Sequence, residues 1–249
     1  MMRTAAICVA VWSALVVLVT PAAEAVSCEM LTFEGGDYSV CSVDLRQDDL
    51  RIFLRDETGM PLGSFGNVAR TLPDGHVLAF GVNGGMYHAD RRPVGLFIED
   101  GQQEMRLLTN ASPGNFGLLP NGVFCIRAGR ADVIETLRFA DTQPDCQYAT
   151  QSGPMLVIDD KLHPRFLKDG TSRLIRNGVG TTPDGKTAIF AMSNQGVNFH
   201  TFARLFRDKL STPNALYLDG RISRLYAPMI GRADAGLPMG PIIGVVKTP

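Results

Sequence analysis

Short apolar runs that stop at a glycine turn dominate this chain, and they commit it to a fold built on strands. Residues 76–82 (HVLAFGV) are almost uninterrupted and empty into Asn83-Gly84-Gly85. Residues 155–158 (MLVI) follow Gln151-Ser152-Gly153-Pro154, residues 187–192 (TAIFAM) break at Ser193-Asn194, and residues 215–218 (ALYL) end at Asp219-Gly220. Each has the length and branching of a buried strand. One segment departs from the pattern. Residues 198–210 put Phe199, Phe202, Leu205, Phe206 and Leu210 on one helical face, with Arg204, Arg207, Asp208 and Lys209 on the other. Shorter elements fill in around these. The pattern predicts strands within 37–44 and 50–54, a short helix or loop at 66–72, and a hairpin joining 94–98 to 104–108. It also predicts a strand pair around Asn121-Gly122 within 114–126, a short helix over 132–139 and a last strand at 242–246. Many strands, few helices and no regular βα alternation argue an α+β fold: a sheet-rich single domain with a mixed or antiparallel sheet.

The beginning of the chain reads differently. Arg3 precedes an apolar run from Ala5 to Val19 broken only by Ser13, and Pro21 leads into Ala23-Glu24-Ala25, an A-x-A cleavage site. Residues 1–25 are expected to be a signal peptide, leaving residues 26–249 as the domain and no stable membrane span, since the apolar run is short for one. The product would be periplasmic or secreted. Cys8 leaves with the signal, and Cys28, Cys41, Cys125 and Cys146 remain. An even number in an exported chain reads as disulfides. The pairs Cys28–Cys41 and Cys125–Cys146 are favoured because each closes a local loop. Zinc is disfavoured because no C-x-x-C pair exists. A net charge of −1 argues against a nucleic-acid partner.

The strand ends hold the polar residues that could carry chemistry. Lys168, Arg173 and Arg176 fall between two glycine turns, as an anion-binding wall would require, and arginine presents a planar donor fork to phosphate or carboxylate. A solvated basic face would read the same way. Asn83, Ser152 and Asp219 each have an ordinary turn or cap as their bland alternative. Their combination is more informative than any one of them.

That combination is Asn83-Gly84-Gly85-Met86-Tyr87, then Gln151-Ser152-Gly153-Pro154, then Arg173 through Asn177-Gly178-Val179-Gly180, then Tyr217-Leu218-Asp219-Gly220. In this order it resembles the phosphodiester glycosidase family, the uncovering-enzyme-like domain, over roughly residues 75–227. Within that family it resembles a bacterial branch with Leu-Asp-Gly-x-Ile-Ser, here Leu218 to Ser223. Arg221 and Ile222 stand where the glycosidase branch has the middle glycines of Asp-Gly-Gly-Gly-Ser.

The resemblance implies hydrolysis of the glycosidic bond in a sugar-1-phosphodiester. Phosphate is already a good leaving group, so such a site needs a clamp on the phosphate and a carboxylate for the developing cation or the attacking water. Arg173 and Arg176 suit the clamp and Asp219 the carboxylate. His88 is the best-placed histidine for acid–base work. Asn83, Gly84, Ser152, Gly153 and Asn177 would contact the substrate. The rival reading is a non-catalytic envelope protein that binds glycan or phosphate on the same fold, which Arg221 and Ile222 favour by narrowing the pocket. The sequence assigns no certain cofactor. A calcium ion held by carboxylates and carbonyls is the one the sequence leaves open.

Overall fold

The computed structural model describes residues 26–248; the expected signal peptide at residues 1–25 lies outside them. Three antiparallel sheets carry the fold. The large sheet runs in the order Ser27–Phe33, Gly36–Asp44, Thr187–Ser193, Asn177–Thr181, Asn214–Asp219, Met155–Ile158, Lys161–Leu162. A second sheet runs Arg232–Ala233, Leu225–Ala227, Val77–Asn83, Ile242–Lys247, Asp49–Phe53. A third runs Gln102–Met105, Phe97–Glu99, Tyr148–Ser152, Gly122–Arg127, Arg130–Glu135.

The sheets meet on one apolar core. Phe190 of the large sheet lies 5.1 Å from Phe80 of the second and 5.8 Å from Phe124 of the third, ring centroid to ring centroid. Such tilted and edge-on pairs suit the aromatic quadrupole. Side chains alternate across the strand Asn214–Asp219. Leu216 and Leu218 enter this core, while Ala215 and Tyr217 enter a second cluster on the other face. Burial on both faces explains why residues 215–218 read as a continuous apolar run.

The second cluster is roofed by α1 (Phe199–Arg204), whose Asn198 cap accepts a 2.9 Å bond from the Thr201 amide. The expected helix does not stay regular to Leu210. It widens into a π-helical turn over Leu205–Lys209, closed by the Leu210 amide on the Leu205 carbonyl. The wider turn keeps Phe202, Leu205 and Phe206 all buried.

Two local expectations need correction. Residues 114–120 form turns and no strand, because Asn121 is an internal strut: its Nδ2 donates to the Phe116 carbonyl and its Oδ1 accepts from Thr136 Oγ1. Residues 132–135 continue the strand Arg130–Glu135, and the helix begins only at Thr136, where the Glu135 carboxylate caps the amides of Leu137 and Arg138. Both disulfides form as expected. Cys28 and Cys41 face each other across one strand pair, and Cys125–Cys146 closes onto the third sheet. No helix among the described residues is long and apolar enough to cross a membrane.

Candidate active site

Four strand ends converge, and buried side chains bolt them together. Asn83, Ser152 and Asn177 are fully buried. Asn177 Nδ2 donates to Asn83 Oδ1 at 2.9 Å and to the Asn83 carbonyl at 3.1 Å, while Asn177 Oδ1 accepts the Asp219 amide at 2.8 Å. Asn83 Oδ1 also accepts the Arg224 amide at 2.9 Å. Asn177 thus ties the end of the second sheet to the end of the Asn214–Asp219 strand. Asn83 Nδ2 is buried there without a hydrogen-bond partner among the described residues.

A bulge aims Asp219. Gly178 pairs with Tyr217 but Asn177 pairs with Asp219, so Leu218 is an extra residue in its strand. The Leu218 carbonyl accepts a 2.9 Å bond from Ser152 Oγ. Beyond the bulge, Asp219 Oδ1 accepts the amides of Gly220 at 2.6 Å and Arg221 at 2.9 Å. Oδ2 accepts no hydrogen bond among the described residues. One oxygen therefore fixes the carboxylate and the other is free for a ligand. A Cβ at position 220 would collide with the buried Tyr217 hydroxyl, so the turn requires glycine.

Asp219 lines a cleft of about 670 Å³, together with Tyr87, His88, Arg91, Arg221 and Ile222. His88 is exposed on the facing turn, which is closed by the His88 amide on the Arg92 carbonyl and the Arg91 amide on the His88 carbonyl. Arg91 adopts φ 72°, an uncommon conformation for a residue with a side chain. Its guanidinium donates to the Ala89 carbonyl and lies 5.5 Å from the Tyr87 ring centroid. Neither Arg91 nor Arg221 forms an ion pair among the described residues. Burial first, and the charge of Asp219 second, push the Tyr87 phenol up, so it remains a protonated donor.

The other predicted arginines lie elsewhere. Arg173, like Lys168, is exposed and lines no part of this cleft. Arg176 is fully buried. Its Nε donates to the Val197 carbonyl at 2.8 Å, one terminal nitrogen to the Ser172 carbonyl at 3.0 Å, and the other to Tyr217 Oη at 3.3 Å. The guanidinium carbon is 3.6 Å from the Phe199 ring centroid. Desolvation lowers the Arg176 pKa, and burial pushes Tyr217 up to about 12 against the opposing pull of Arg176. Carbonyl dipoles and an aromatic face, with no ion-paired carboxylate among the described residues, compensate this cation. Through Tyr217 it buttresses the Gly220 turn.

The space beside two of the predicted glycines is filled by protein. A Cβ on Gly84 would lie 3.1 Å from Pro241, and one on Gly153 would lie 2.6 Å from Asn121. Close packing therefore accounts for both. Among the described residues no group of three or more His, Cys, Asp or Glu side chains is arranged to hold a metal ion, so the calcium expectation finds no such cluster.

Sequence reasoning assigned no role to Arg91, quoted Tyr87 only as part of a motif, and read Arg221 as narrowing the pocket. The signal for Arg91 was its place between Asn83-Gly84-Gly85 and the next strand, in a segment too irregular to read by period. Beyond these residues, the comparisons decide the family. The sequence profile described as phosphodiester glycosidase matches residues 76–236. The chain belongs to the phosphodiester glycosidase family.

The chain is also 40% identical over 145 residues to the uncharacterized protein YigE of Escherichia coli (strain K12). That alignment takes in 58% of this chain and 56% of YigE, so the match spans little more than half of the relative's length. Among solved structures, the catalytic domain of zebrafish N-acetylglucosamine-1-phosphodiester alpha-N-acetylglucosaminidase, auto-inhibited by its pro-peptide, superposes with a TM-score of 0.59 at 14% identity. The match covers 88% of this chain and 81% of that one. A hypothetical protein from Synechocystis superposes with a TM-score of 0.57 at 12% identity, over 88% of this chain and 61% of that one. At such identities the likeness is one of fold.

Proposed function

We propose that this chain is an exported hydrolase that cleaves the glycosidic bond of a sugar-1-phosphodiester in the cleft at Asp219. The observation that carries the reading is the half-pinned carboxylate of Asp219 in a cleft with two arginines that lack ion-pair partners, in a member of the phosphodiester glycosidase family. Asp219 Oδ2 stabilises the positive charge that develops on the sugar as its C1–O bond breaks, or takes that carbon as a nucleophile. Arg91 and Arg221 hold the departing phosphate, the work that sequence alone gave to Arg173 and Arg176. His88 supplies or removes the proton. Asn83, Asn177 and Ser152 act one step back: they hold the strand ends so that Asp219 cannot drift. Gly84 and Gly153 let those ends pack closely, and Arg176 supports the turn through Tyr217.

The disulfides and the A-x-A segment support a periplasmic or secreted location. The rival, a binding protein without turnover, draws on Arg221 and Ile222, which line the cleft where smaller residues would widen it. One assay separates the two readings: phosphate monoester released from a panel of sugar-1-phosphodiesters, wild type beside Asp219→Ala and Arg221→Ala. Turnover that falls about a hundredfold in Asp219→Ala fits loss of charge stabilisation in the transition state. No turnover on any substrate, with saturable binding that Arg221→Ala abolishes, selects the binding protein.

A further inference from the structure

We infer that the Ala25–Val26 peptide bond is a processing site and that Asp48 is the built-in receptor for the α-ammonium group released there. The observation is the environment of the Val26 nitrogen. It lies 3.1 Å from Asp48 Oδ1 and 3.0 Å from Asp48 Oδ2, between both oxygens of one carboxylate. Asp48 is only 8% exposed and Val26 only 4%, with the valine side chain packed in the main core. Asp48 forms no ion pair among the described residues; its other bond is the Asp44 amide on Oδ2 at 2.9 Å. A buried carboxylate straddling one neutral amide is left with an uncompensated charge, which is costly. An ammonium at the same place would supply the missing charge and donors for both oxygens. The sequence independently puts Ala23-Glu24-Ala25, a small-residue cleavage signal, directly before this nitrogen.

The step is hydrolysis by an endopeptidase that accepts small side chains one and three residues before the cut. Water adds across the Ala25–Val26 amide. The Ala25 carbonyl carbon takes the oxygen and becomes a carboxylate, and the Val26 nitrogen takes a proton, leaves as an amine and is protonated again at neutral pH. Folding then buries the new chain end against Asp48, so maturation and stability become one event. Burial raises the Asp48 pKa and the Val26 and Asp44 amides oppose it, the direction expected of a carboxylate awaiting a counter-charge. The charged neighbours are few: Asp44, itself paired to Arg46, and Lys247 act on Asp48, while Asp49 and Arg127 share its small surface cleft.

The sign follows. Asp48 raises the folded-state pKa of the amine above its ordinary value of about 8, so the stabilisation is present below that value and fades as pH rises through the raised one. The test uses the full chain, exported from a bacterial host and recovered oxidised, with intact mass and N-terminal sequencing as the first readout. A second chain has one glycine inserted after Ala25, which moves the ammonium one residue away. The inference expects a first residue of Val26 and melting about 5 °C or more above the inserted chain at pH 6. The gap should close as the amine deprotonates and be absent in an Asp48→Asn background. A different first residue, equal melting of the two chains, or a gap that persists in Asp48→Asn would overturn it. If Asp48→Asn does not accumulate folded, the pH dependence of the gap decides: closure supports the inference and constancy refutes it. This inference is independent of the hydrolase reading.

Discussion

Two kinds of guanidinium bracket the Asp219-Gly220 turn, and they are doing opposite jobs. Arg176 is buried, aimed at two carbonyls and a phenol, and stacked on Phe199. Arg91 and Arg221 line an open cleft and form no ion pair among the described residues. The buried arginine has its charge compensated by fixed dipoles and has no room for an anion. The cleft arginines have room, and nothing anionic of their own to hold. Charge in a sequence therefore says little about charge at a site; what the folded protein leaves unpaired is what a ligand meets.

Asp219→Asn should lower kcat about a hundredfold or more while leaving the melting temperature within about 2 °C, because the change removes charge and keeps the acceptor at Oδ1. A comparable loss of stability would mean that the carboxylate is structural. Asn177→Ala removes the link from Asn83 to the Asp219 amide. It should cost about 2 kcal/mol, read by chemical denaturation, and lower kcat more than it raises KM. An unchanged kcat would detach the strand-end network from the site. Added salt at 0.5 M should raise KM several-fold in wild type and much less in Arg221→Ala, since screening acts on exposed charges.

The last effect lies away from the cleft, as a control on buried charge. Burial pushes the Glu99 carboxyl up to about 7. The folded state then holds a proton that the unfolded chain releases near pH 4.5. Stability should fall between pH 4.5 and about 7, and Glu99→Gln should flatten that slope, by several degrees in melting temperature. An unaltered slope would show that Glu99 is solvated.

Much of this was legible in the sequence. The strand ends at Asn83, Ser152 and Asp219 announced themselves because polar turn residues terminate apolar runs, but they lie in three different sheets, and their convergence comes from how those sheets meet, which no local pattern shows. The helix face from Phe199 to Leu210 was legible by period, but its widened turn was not, since a π-helical turn keeps the same residues buried. Asn121-Gly122 read as a hairpin because that dipeptide favours one. Here the Asn121 side chain instead bonds to Phe116 and Thr136, contacts that only the tertiary fold supplies. Arg176 was misplaced for the same reason: its cage comes from Val197, Phe199 and Tyr217, far along the chain. Arg221 was legible as a change in the pocket's shape and charge, but that its cation lines the cleft without an ion-pair partner among the described residues came only from the fold.

The division of labour between the arginines is tested most directly by measuring melting temperature and steady-state kinetics on Arg176→Met and Arg221→Ala together. Removing Arg176 takes one donor from the Val197 carbonyl, the donor of the Ser172 carbonyl and the partner of Tyr217 Oη, and empties a fully buried site, so it should cost about 3 kcal/mol and lower melting by about 6–12 °C. Removing Arg221 should leave melting unchanged and raise KM for a sugar-1-phosphodiester about tenfold. The reverse pattern, a stable Arg176→Met with weakened substrate binding and an unaffected KM in Arg221→Ala, would contradict the account and return the phosphate clamp to Arg176.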